Sequence, residues 1–254
     1  MTDQIHSSHD GGVAVLTIDA PATRNALTLD LSARLADAVG RAEADESVHA
    51  VVITGAPPAF CAGADLDTLA AAREDGLRAI YDGFLSVARC SLPTIAAVGG
   101  AAVGAGLNLA LAADVRIVGP RAKFVARFLD LGIHPGGGMT WMIQRLVGPQ
   151  KAAAMTLFGE VVGAEAAVEA GLALRLVEGD LVEAARELAR PAVEAPRDVL
   201  LATKRTLRHT AALTDHSAAV DAEIEPQLAS LTAPAFAERL AGLRASLSKR
   251  SSNR

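Results

Sequence analysis

Aromatic residues and cysteines are scarce in this chain of 254 residues, and neither sign of charge strongly predominates. Aromatics make up 3% of the sequence, so small side chains must form much of the core, and helices and strands are expected to approach closely. Two cysteines, Cys61 and Cys90, cannot form a disulfide framework, and no CxxC spacing indicates a metal site. A net charge of -5 argues against a nucleic-acid surface, which would need a clustered basic face.

The sequence also lacks a recognisable signal peptide and a convincing membrane span. Its first residues show no basic-then-apolar pattern, which predicts a cytoplasmic protein. The stretch from Pro93 to Ala113 is almost uncharged and long enough to imitate a span, but it contains four glycines and Asn108. A buried strand, a turn and a buried helix are the preferred interpretation, and no membrane partner is expected.

Strand-like and helix-like segments alternate over roughly the first 120 residues, which predicts an α/β fold with parallel strand pairing. The predicted strands are residues 13–18, 50–55, 94–98 and 115–118. The second of these is apolar throughout, as is typical of a strand covered on both faces. Helices are expected after each of the first three strands: one capped by Thr28, one in two pieces ending near Cys90, and one ending near Leu111.

From Leu181 onward the pattern is wholly helical, with breaks at Pro196, near Thr214 and at Pro234. The last helix, from about Ala235 to Leu247, carries apolar residues on one face. Such a face must dock on the core or on another subunit. We therefore predict a core with the ligand site over residues 1–195 and a helical oligomerisation region over residues 196–254.

Two glycine-flanked turns are the best candidates for a functional site. They are Phe-Cys-Ala-Gly-Ala-Asp-Leu at residues 60–66 and Gly-Ala-Gly-Leu-Asn at residues 104–108, each at the start of a predicted helix. Backbone N–H groups in the first turn of a helix have no internal partner, and small residues let a ligand oxygen reach them. Asp65 is expected to cap the helix that follows it. A glycine turn required only for close packing remains the alternative for each segment.

With these turns, the sequence resembles the crotonase superfamily, the enoyl-CoA hydratase/isomerase group. The resemblance spans nearly the whole chain and includes both turns, residues 24–27 (Arg-Asn-Ala-Leu), Asp114, residues 131–132, residues 135–138 and residues 170–172. It implies a spiral of ββα units with a helical C-terminal region, assembled as a trimer or a dimer of trimers. It also implies an acyl-CoA thioester as substrate, a bent coenzyme A whose adenine lies near Ala62, Ala64 and Leu66, and no tightly bound cofactor.

The resemblance further implies which residues form the site. The backbone N–H groups of Ala62 and Ala105 fall where such proteins bind the thioester oxygen, a pair of donors called the oxyanion hole. Arg24 would meet a coenzyme A phosphate or lie in solvent. The implied contacts to substrate or coenzyme A are Arg24, Ala26, Ala62, Ala64, Asp65, Leu66, Gly104, Ala105, Asn108, Phe128, Pro135 and Gly136. An apolar pocket wall is expected from Phe124, Phe128 and Trp141.

The sequence departs from the family at the two acid–base positions. Hydratases that it resembles use two glutamates to position and activate water, where this chain has Asn108 and Phe128. Neither side chain can exchange a proton near pH 7, so standard hydratase activity is expected to be weak. The nearest titratable residues are Asp130, which is expected to point elsewhere, and His134, in a loop that borders the acyl pocket in the family. A purely structural role for His134 remains open.

Two functions stay in competition on this basis. The first is an acyl-CoA enzyme, a lyase or isomerase, that stabilises a thioester enolate with an oxyanion hole and atypical acid–base groups. Decarboxylation would suit such a site, because carbon dioxide leaves without a base removing a proton. The second is a non-catalytic acyl-CoA-binding protein that has kept the pocket without turnover.

Overall fold

The computed structural model describes residues 3–252, which divide into two compact units between Val193 and Glu194. The sequence had placed this boundary between residues 195 and 196. The strands of the first unit are β1 (Gln4–Asp10), β2 (Val13–Asp19), β3 (Ala50–Gly55), β4 (Ala59–Cys61), β5 (Thr94–Val98), β6 (Ala101–Val103), β7 (Val115–Val118), β8 (Lys123–Val125), β9 (Val162–Gly163) and β10 (Arg175–Leu176). Its α-helices are α1 (Leu29–Ala44), α2 (Leu66–Ala71), α3 (Glu74–Arg89), α4 (Ala105–Ala112), α5 (Met139–Leu157), α6 (Ala164–Glu169) and α7 (Leu181–Glu194), the last ending at the boundary.

The larger sheet has six strands in the order β1-β2-β3-β5-β7-β10. It is antiparallel between β1 and β2 and parallel elsewhere. Strands β3 and β5 are buried along nearly their whole length, and for β3 this confirms the predicted cover on both faces. One face packs against Ala185 and Ala189 of α7, and it is formed by Val13, Val15, Ala50, Val52, Ile95, Ala97 and Ile117.

The smaller sheet has four strands in the order β4-β6-β8-β9, of which β4, β6 and β8 are parallel. Each of these three follows a strand of the larger sheet, so that β3–β4, β5–β6 and β7–β8 are three successive pairs. A helical segment follows each pair, and the pairs lie side by side in both sheets. This arrangement confirms the predicted spiral of ββα units.

Buried polar contacts hold the ends of strands and helices in these ββα repeats. Thr94 at the start of β5 donates to the Asp114 carboxylate from its N–H at 2.8 Å and from its hydroxyl at 3.0 Å. The buried Arg116 guanidinium donates to the carbonyls of Ala113 and Leu172, both at 2.7 Å, which satisfies the C-terminal end of α4. Burial lowers the pKa of Arg116 to about 10, so the side chain is still charged at neutral pH.

The second unit consists of α8 (Arg197–Thr210), α9 (His216–Thr232) and α10 (Pro234–Ser252). The helix breaks predicted at Pro196, near Thr214 and at Pro234 are confirmed. One face of α9 exposes four large apolar side chains at helical spacing, namely Val220, Ile224, Leu228 and Leu231. Within the described residues, no helix is both long and apolar enough to cross a membrane.

Candidate active site

A cavity of about 800 Å³ opens in the first unit at the carboxyl ends of β4, β6 and β8. Because parallel strands end at the same edge of a sheet, the segments that follow them meet there although they are distant in sequence. These segments are residues 62–67, residues 104–105 and residues 126–128. Helix α3 contributes Leu77, Ile80 and Tyr81 to the cavity lining.

The first turn presents the N–H of Ala64, not that of Ala62, as a free donor. The Ala62 N–H already donates to the Arg24 carbonyl oxygen at 3.1 Å, which contradicts the role predicted for it. Leu27 pairs with Ala64 in a parallel bridge, through its N–H to the Gly63 carbonyl at 2.7 Å and through its carbonyl to the Asp65 N–H at 2.9 Å. In such a bridge the central residue, here Ala64, points its own N–H away from the partner. That N–H has no hydrogen-bond partner among the described residues.

The second free donor is the N–H of Ala105, the first residue of α4. The helical ladder begins one turn later, with the Asn108 N–H donating to the Gly104 carbonyl at 3.0 Å, so the Ala105 N–H has no partner in the described part of the chain. The two turns touch at Gly63, whose φ is 112°. A Cβ atom at Gly63 would lie 2.9 Å from the Val103 carbonyl oxygen and 3.8 Å from the Ala105 nitrogen, so glycine permits the close approach.

The Asn25 side chain is hydrogen-bonded to the backbone segments next to the first turn. The sequence analysis did not suggest this role. Its side chain is fully buried, and its backbone is left-handed with a φ of 65°. The Asn25 Oδ1 accepts from the Ala20 N–H at 2.9 Å, and Nδ2 donates to the carbonyls of Ala56 and Ala59, each at 2.8 Å. The signal was present in the motif at residues 24–27, because asparagine tolerates a positive φ and bonds to backbone groups.

Asp65 caps helix α2, which confirms its predicted role. Its carboxylate accepts from the Thr68 N–H at 2.9 Å and from the Thr68 hydroxyl at 2.8 Å. These hydrogen bonds lower the pKa of Asp65 below its ordinary value. The carboxylate is therefore ionised and engaged with the helix, so it is a poor proton shuttle.

Asn108 and Phe128 both line the cavity, at the positions expected to carry the acid–base groups. Asn108 is buried, and its Nδ2 donates to the Gly136 carbonyl at 2.9 Å. Phe128 is half-buried at the end of the segment that follows β8. Neither side chain can act as a general acid or base near neutral pH.

His134 and Asp130 differ in their access to the cavity. His134 lines it, and its Nδ1 lies 2.7 Å from the Pro135 carbonyl oxygen. Because a carbonyl only accepts, Nδ1 carries a hydrogen, and in the neutral imidazole Nε2 then keeps a lone pair. Asp130 is exposed on a short 3-10 turn, its carboxylate is 3.8 Å from the Arg127 Nε, and it is not among the lining residues. The structure therefore argues against Asp130 as a catalytic residue.

A known protein family matches nearly the whole chain, including all the segments that line the cavity. The family described as enoyl-CoA hydratase/isomerase matches residues 8–250. This chain belongs to the enoyl-CoA hydratase/isomerase family. "Probable enoyl-CoA hydratase EchA14" of Mycobacterium tuberculosis is 56% identical over 248 residues, covering 94% of this chain and 96% of the relative.

Two further enoyl-CoA hydratase/isomerase relatives show the range of names within this group. The 1,2-epoxyphenylacetyl-CoA isomerase of Escherichia coli is 35% identical over 199 residues, covering 75% of this chain and 76% of that protein. The crystal structure of an enoyl-CoA hydratase from Polaromonas sp. JS666 superposes with a TM-score of 0.88 at 28% identity, covering 95% of this chain and 97% of that one. Proteins similar to this chain thus carry names of different reactions.

Most of the substrate contacts that the family resemblance implied do line the cavity, and a few do not. Pro135 is not among the lining residues. Phe124 lies in the core, and Trp141 is 60% exposed beneath the Arg145 guanidinium, so neither forms the expected pocket wall. Tyr81 does line the cavity. It was missed because nothing in the amphipathic pattern of α3 distinguishes a pocket residue from a core residue.

Cys61 lies next to the donors but is not a nucleophile. Its thiol is fully buried, and burial raises its pKa from 9.0 to about 12. Because only the thiolate attacks, the Cys61 thiol is inert at neutral pH.

Proposed function

We propose that this chain binds acyl-CoA thioesters and that the N–H groups of Ala64 and Ala105 bind the thioester oxygen as an oxyanion hole. The single observation that supports this most strongly is that two free backbone donors border one cavity, at the ends of two adjacent parallel strands. The family membership supports the thioester as the ligand. Because both donors belong to the main chain, they persist although the acid–base side chains differ.

The chemistry that such a pair favours is enolate formation. When a proton leaves the carbon next to the thioester, the electron pair moves onto the carbonyl oxygen, where two N–H groups and the N-terminus of α4 stabilise the charge. One donor of this kind contributes about 3–4 kcal/mol to the transition state in characterised enzymes. His134 Nε2 is the cavity group that we assign to receive or return the proton.

We infer a lyase or isomerase reaction at the carbon next to the thioester, with hydration at most a slow side reaction. Water addition would need groups at positions 108 and 128 that hold and deprotonate water. The Asn108 amide cannot take up a proton, and the Phe128 ring can neither hold water nor take up a proton. Loss of carbon dioxide from a carboxyacyl thioester remains within the same proposal: the electron pair of the broken C–C bond forms the same enolate, which then takes up a proton from solvent or from His134. Relatives named for hydration and for isomerisation are compatible with this choice.

For the coenzyme A moiety, the rim of the cavity offers Arg24 and Leu66. Both are exposed, Arg24 carries positive charge for a phosphate, and Leu66 begins α2 with an apolar surface for the adenine.

We also propose that the chain forms a trimer or a dimer of trimers. The apolar face of α9 supports this oligomerisation, since such a face is normally covered by protein.

A non-catalytic acyl-CoA-binding protein is the second candidate. The observation in its favour is that the Asn108 amide and the Phe128 ring replace both expected proton carriers. Isothermal titration with butyryl-CoA, followed by mass spectrometry after incubation in D₂O, separates the candidates. Binding with deuterium entering next to the thioester is the expected result. Binding without exchange, and without turnover of a panel of enoyl and carboxyacyl thioesters, would leave the binding protein.

A further inference from the structure

The cavity offers few groups that can carry a proton. Among the described residues that line it, six have side chains that ionise, namely Arg24, Asp65, Asp67, Tyr81, Arg127 and His134. Arginine stays protonated in proteins, and Asp65 is engaged as the cap of α2. Asp67 is exposed on α2, and a carboxylate in solvent holds no proton to donate at neutral pH. Proton transfer in the cavity therefore falls to Tyr81 and His134.

Tyr81 lines the cavity from helix α3, whose other lining residues, Leu77 and Ile80, are apolar. The Tyr81 ring packs against the buried Phe84 ring with the ring centres 5.4 Å apart, which holds the side chain in one direction. Its hydroxyl has no hydrogen-bond partner among residues 3–252. The proton of this hydroxyl is therefore available to a ligand.

The Tyr81 hydroxyl and the His134 imidazole border the same short stretch of backbone. The hydroxyl lies so close to Gly136 that any side chain there would collide with it. On the other side, His134 Nδ1 is bonded to the carbonyl of the preceding residue, Pro135, at 2.7 Å. The Gly136 carbonyl accepts from Asn108 Nδ2 at 2.9 Å, which ties this stretch to α4. A donor and an acceptor of protons thus flank one backbone segment from two different elements.

We propose that Tyr81 is a second catalytic residue, which donates a proton where the reaction needs one at a carbon other than the carbon that lost it. His134 is poorly suited to this second transfer, because the hydrogen bond from Nδ1 to Pro135 holds its ring beside the first carbon. The inference rests on the proposed function, since it needs the enolate to be bound at Ala64 and Ala105.

For an isomerisation the two transfers balance as follows. His134 Nε2 takes a proton from the second acyl carbon of a 3-enoyl thioester, and the electron pair spreads over the acyl carbons and the thioester oxygen. The Tyr81 hydroxyl gives its proton to the fourth carbon, where the pair forms the new C–H bond and leaves a double bond between the second and third carbons. The His134 imidazolium then returns its proton to the Tyr81 phenolate through water. Both groups are restored, and nothing is oxidised or reduced.

Isomerisation of 3-butenoyl-CoA to crotonyl-CoA, measured by the absorbance of the conjugated product, tests this role. Tyr81→Phe keeps the ring against Phe84 and removes only the hydroxyl. We expect its kcat to fall about 10²-fold or more, the range for loss of a general acid. Deuterium exchange next to the thioester of butyryl-CoA needs only His134 and should stay within a few-fold.

Ser86→Ala is the matched control for this variant. Ser86 lies on the same helix, and its hydroxyl donates to the Gly83 carbonyl at 2.7 Å. It is not among the lining residues, so both the isomerisation and the exchange rate should persist.

A second measurement uses the fact that Tyr81 is the only tyrosine in the chain. Biosynthetic replacement of tyrosine by 3-fluorotyrosine makes this hydroxyl more acidic and leaves His134 and Arg127 as they are. Because only the protonated hydroxyl can donate, we expect kcat to fall at high pH, and this fall to move to lower pH in the fluorinated protein. A hydroxyl with a purely structural role would leave the pH profile unchanged.

The possible results distinguish this inference from the proposed function. Isomerisation that persists in Tyr81→Phe, or a pH profile that fluorination does not move, would overturn the role of Tyr81. Loss of exchange together with isomerisation in a Tyr81→Phe protein that is folded by circular dichroism would also overturn it, because the hydroxyl would then act on the first proton. A wild-type protein that exchanges butyryl-CoA but does not isomerise 3-butenoyl-CoA would refute the inference alone. Absence of binding and exchange for both thioesters would contradict the proposed function itself.

Discussion

Ala105 supplies a donor from its main chain, so among ordinary substitutions only proline removes it. Because Ala105 is the first residue of α4, proline fits there without breaking a helical hydrogen bond. We expect Ala105→Pro to lower the rate of deuterium exchange next to the thioester about 10²–10³-fold, as for loss of one oxyanion donor. Ala105→Gly keeps the N–H and should retain the rate within a few-fold. Equal rates in the two variants would refute the role of this N–H.

His134 is the cavity residue on which proton transfer depends in the proposed reaction. We expect His134→Ala to reduce kcat at least about tenfold, at the low end of the range for loss of a general acid–base group. Binding of butyryl-CoA, measured by titration, should change little, because Nδ1 is bonded to the Pro135 carbonyl and Nε2 acts only on the proton. His6→Ala, on the exposed strand β1, serves as the control. An unchanged kcat would exclude His134 from the mechanism.

Among the elements, the three-residue strands β4 and β6 position the site more than any single side chain. Their parallel pairing aligns Ala59 with Ala101 and Cys61 with Ala102, so the turns after them emerge together. Gly106 at the start of α4 lies against the Cys61 carbonyl oxygen with no space for a side chain. The backbone of β4 and the backbone at the start of α4 approach so closely that only small residues fit between them.

Asn25 stabilises the same region from the other side. We expect Asn25→Ala to lower the free energy of unfolding by about 3 kcal/mol, because it removes three hydrogen bonds and leaves buried backbone groups unpaired. Urea denaturation measures this effect. Thr23→Ala, which removes one longer contact of 3.2 Å to the Ala20 carbonyl, should cost much less. If the two variants were equally stable, the Asn25 side chain would not hold the loop.

At the scale of the whole molecule, the exposed apolar face of α9 leads us to predict an oligomer. Sedimentation equilibrium should give three or six times the chain mass of 26.0 kDa. Leu228→Glu combined with Leu231→Glu should shift the mass toward the monomer, because these side chains are 57% and 48% exposed on the apolar face of α9. Glu225→Gln, a polar change on the same helix, should leave the mass unchanged. A monomeric wild-type protein would contradict the proposal.

The sequence predicted those strands and helices whose pattern of apolar residues matches their burial in the fold. Strands β2, β3 and β5 are mostly apolar, and β7 is apolar except for Arg116. Helix α1 begins at the Thr28 cap, whose oxygen accepts from the Leu31 N–H at 3.1 Å. Strands β4, β6 and β8 were not predicted, because three residues are too few to show a period. Strand β1 was missed because its side chains are polar and mostly exposed. These strands form only because a neighbouring strand offers hydrogen bonds.

The candidate site was predictable in its segments but not in its atoms. Sequence motifs located both turns and the replacement of the acid–base residues by Asn108 and Phe128. They misplaced the first donor at Ala62, because which N–H is free depends on the bridge between Leu27 and Ala64. Nor could they indicate that Tyr81 lines the cavity or that its hydroxyl has no partner in the described part of the chain.

The sequence by itself determined the family, the alternation of strands and helices, and the absence of carboxylates at positions 108 and 128, since these depend on residue type and order. Only the tertiary structure decided that Ala64, and not Ala62, presents a free N–H group beside that of Ala105. The physical reason is that a backbone N–H is identical in every residue except proline. Its availability is set by the partner that the fold brings to it, and here that partner reaches Ala62 and not Ala64.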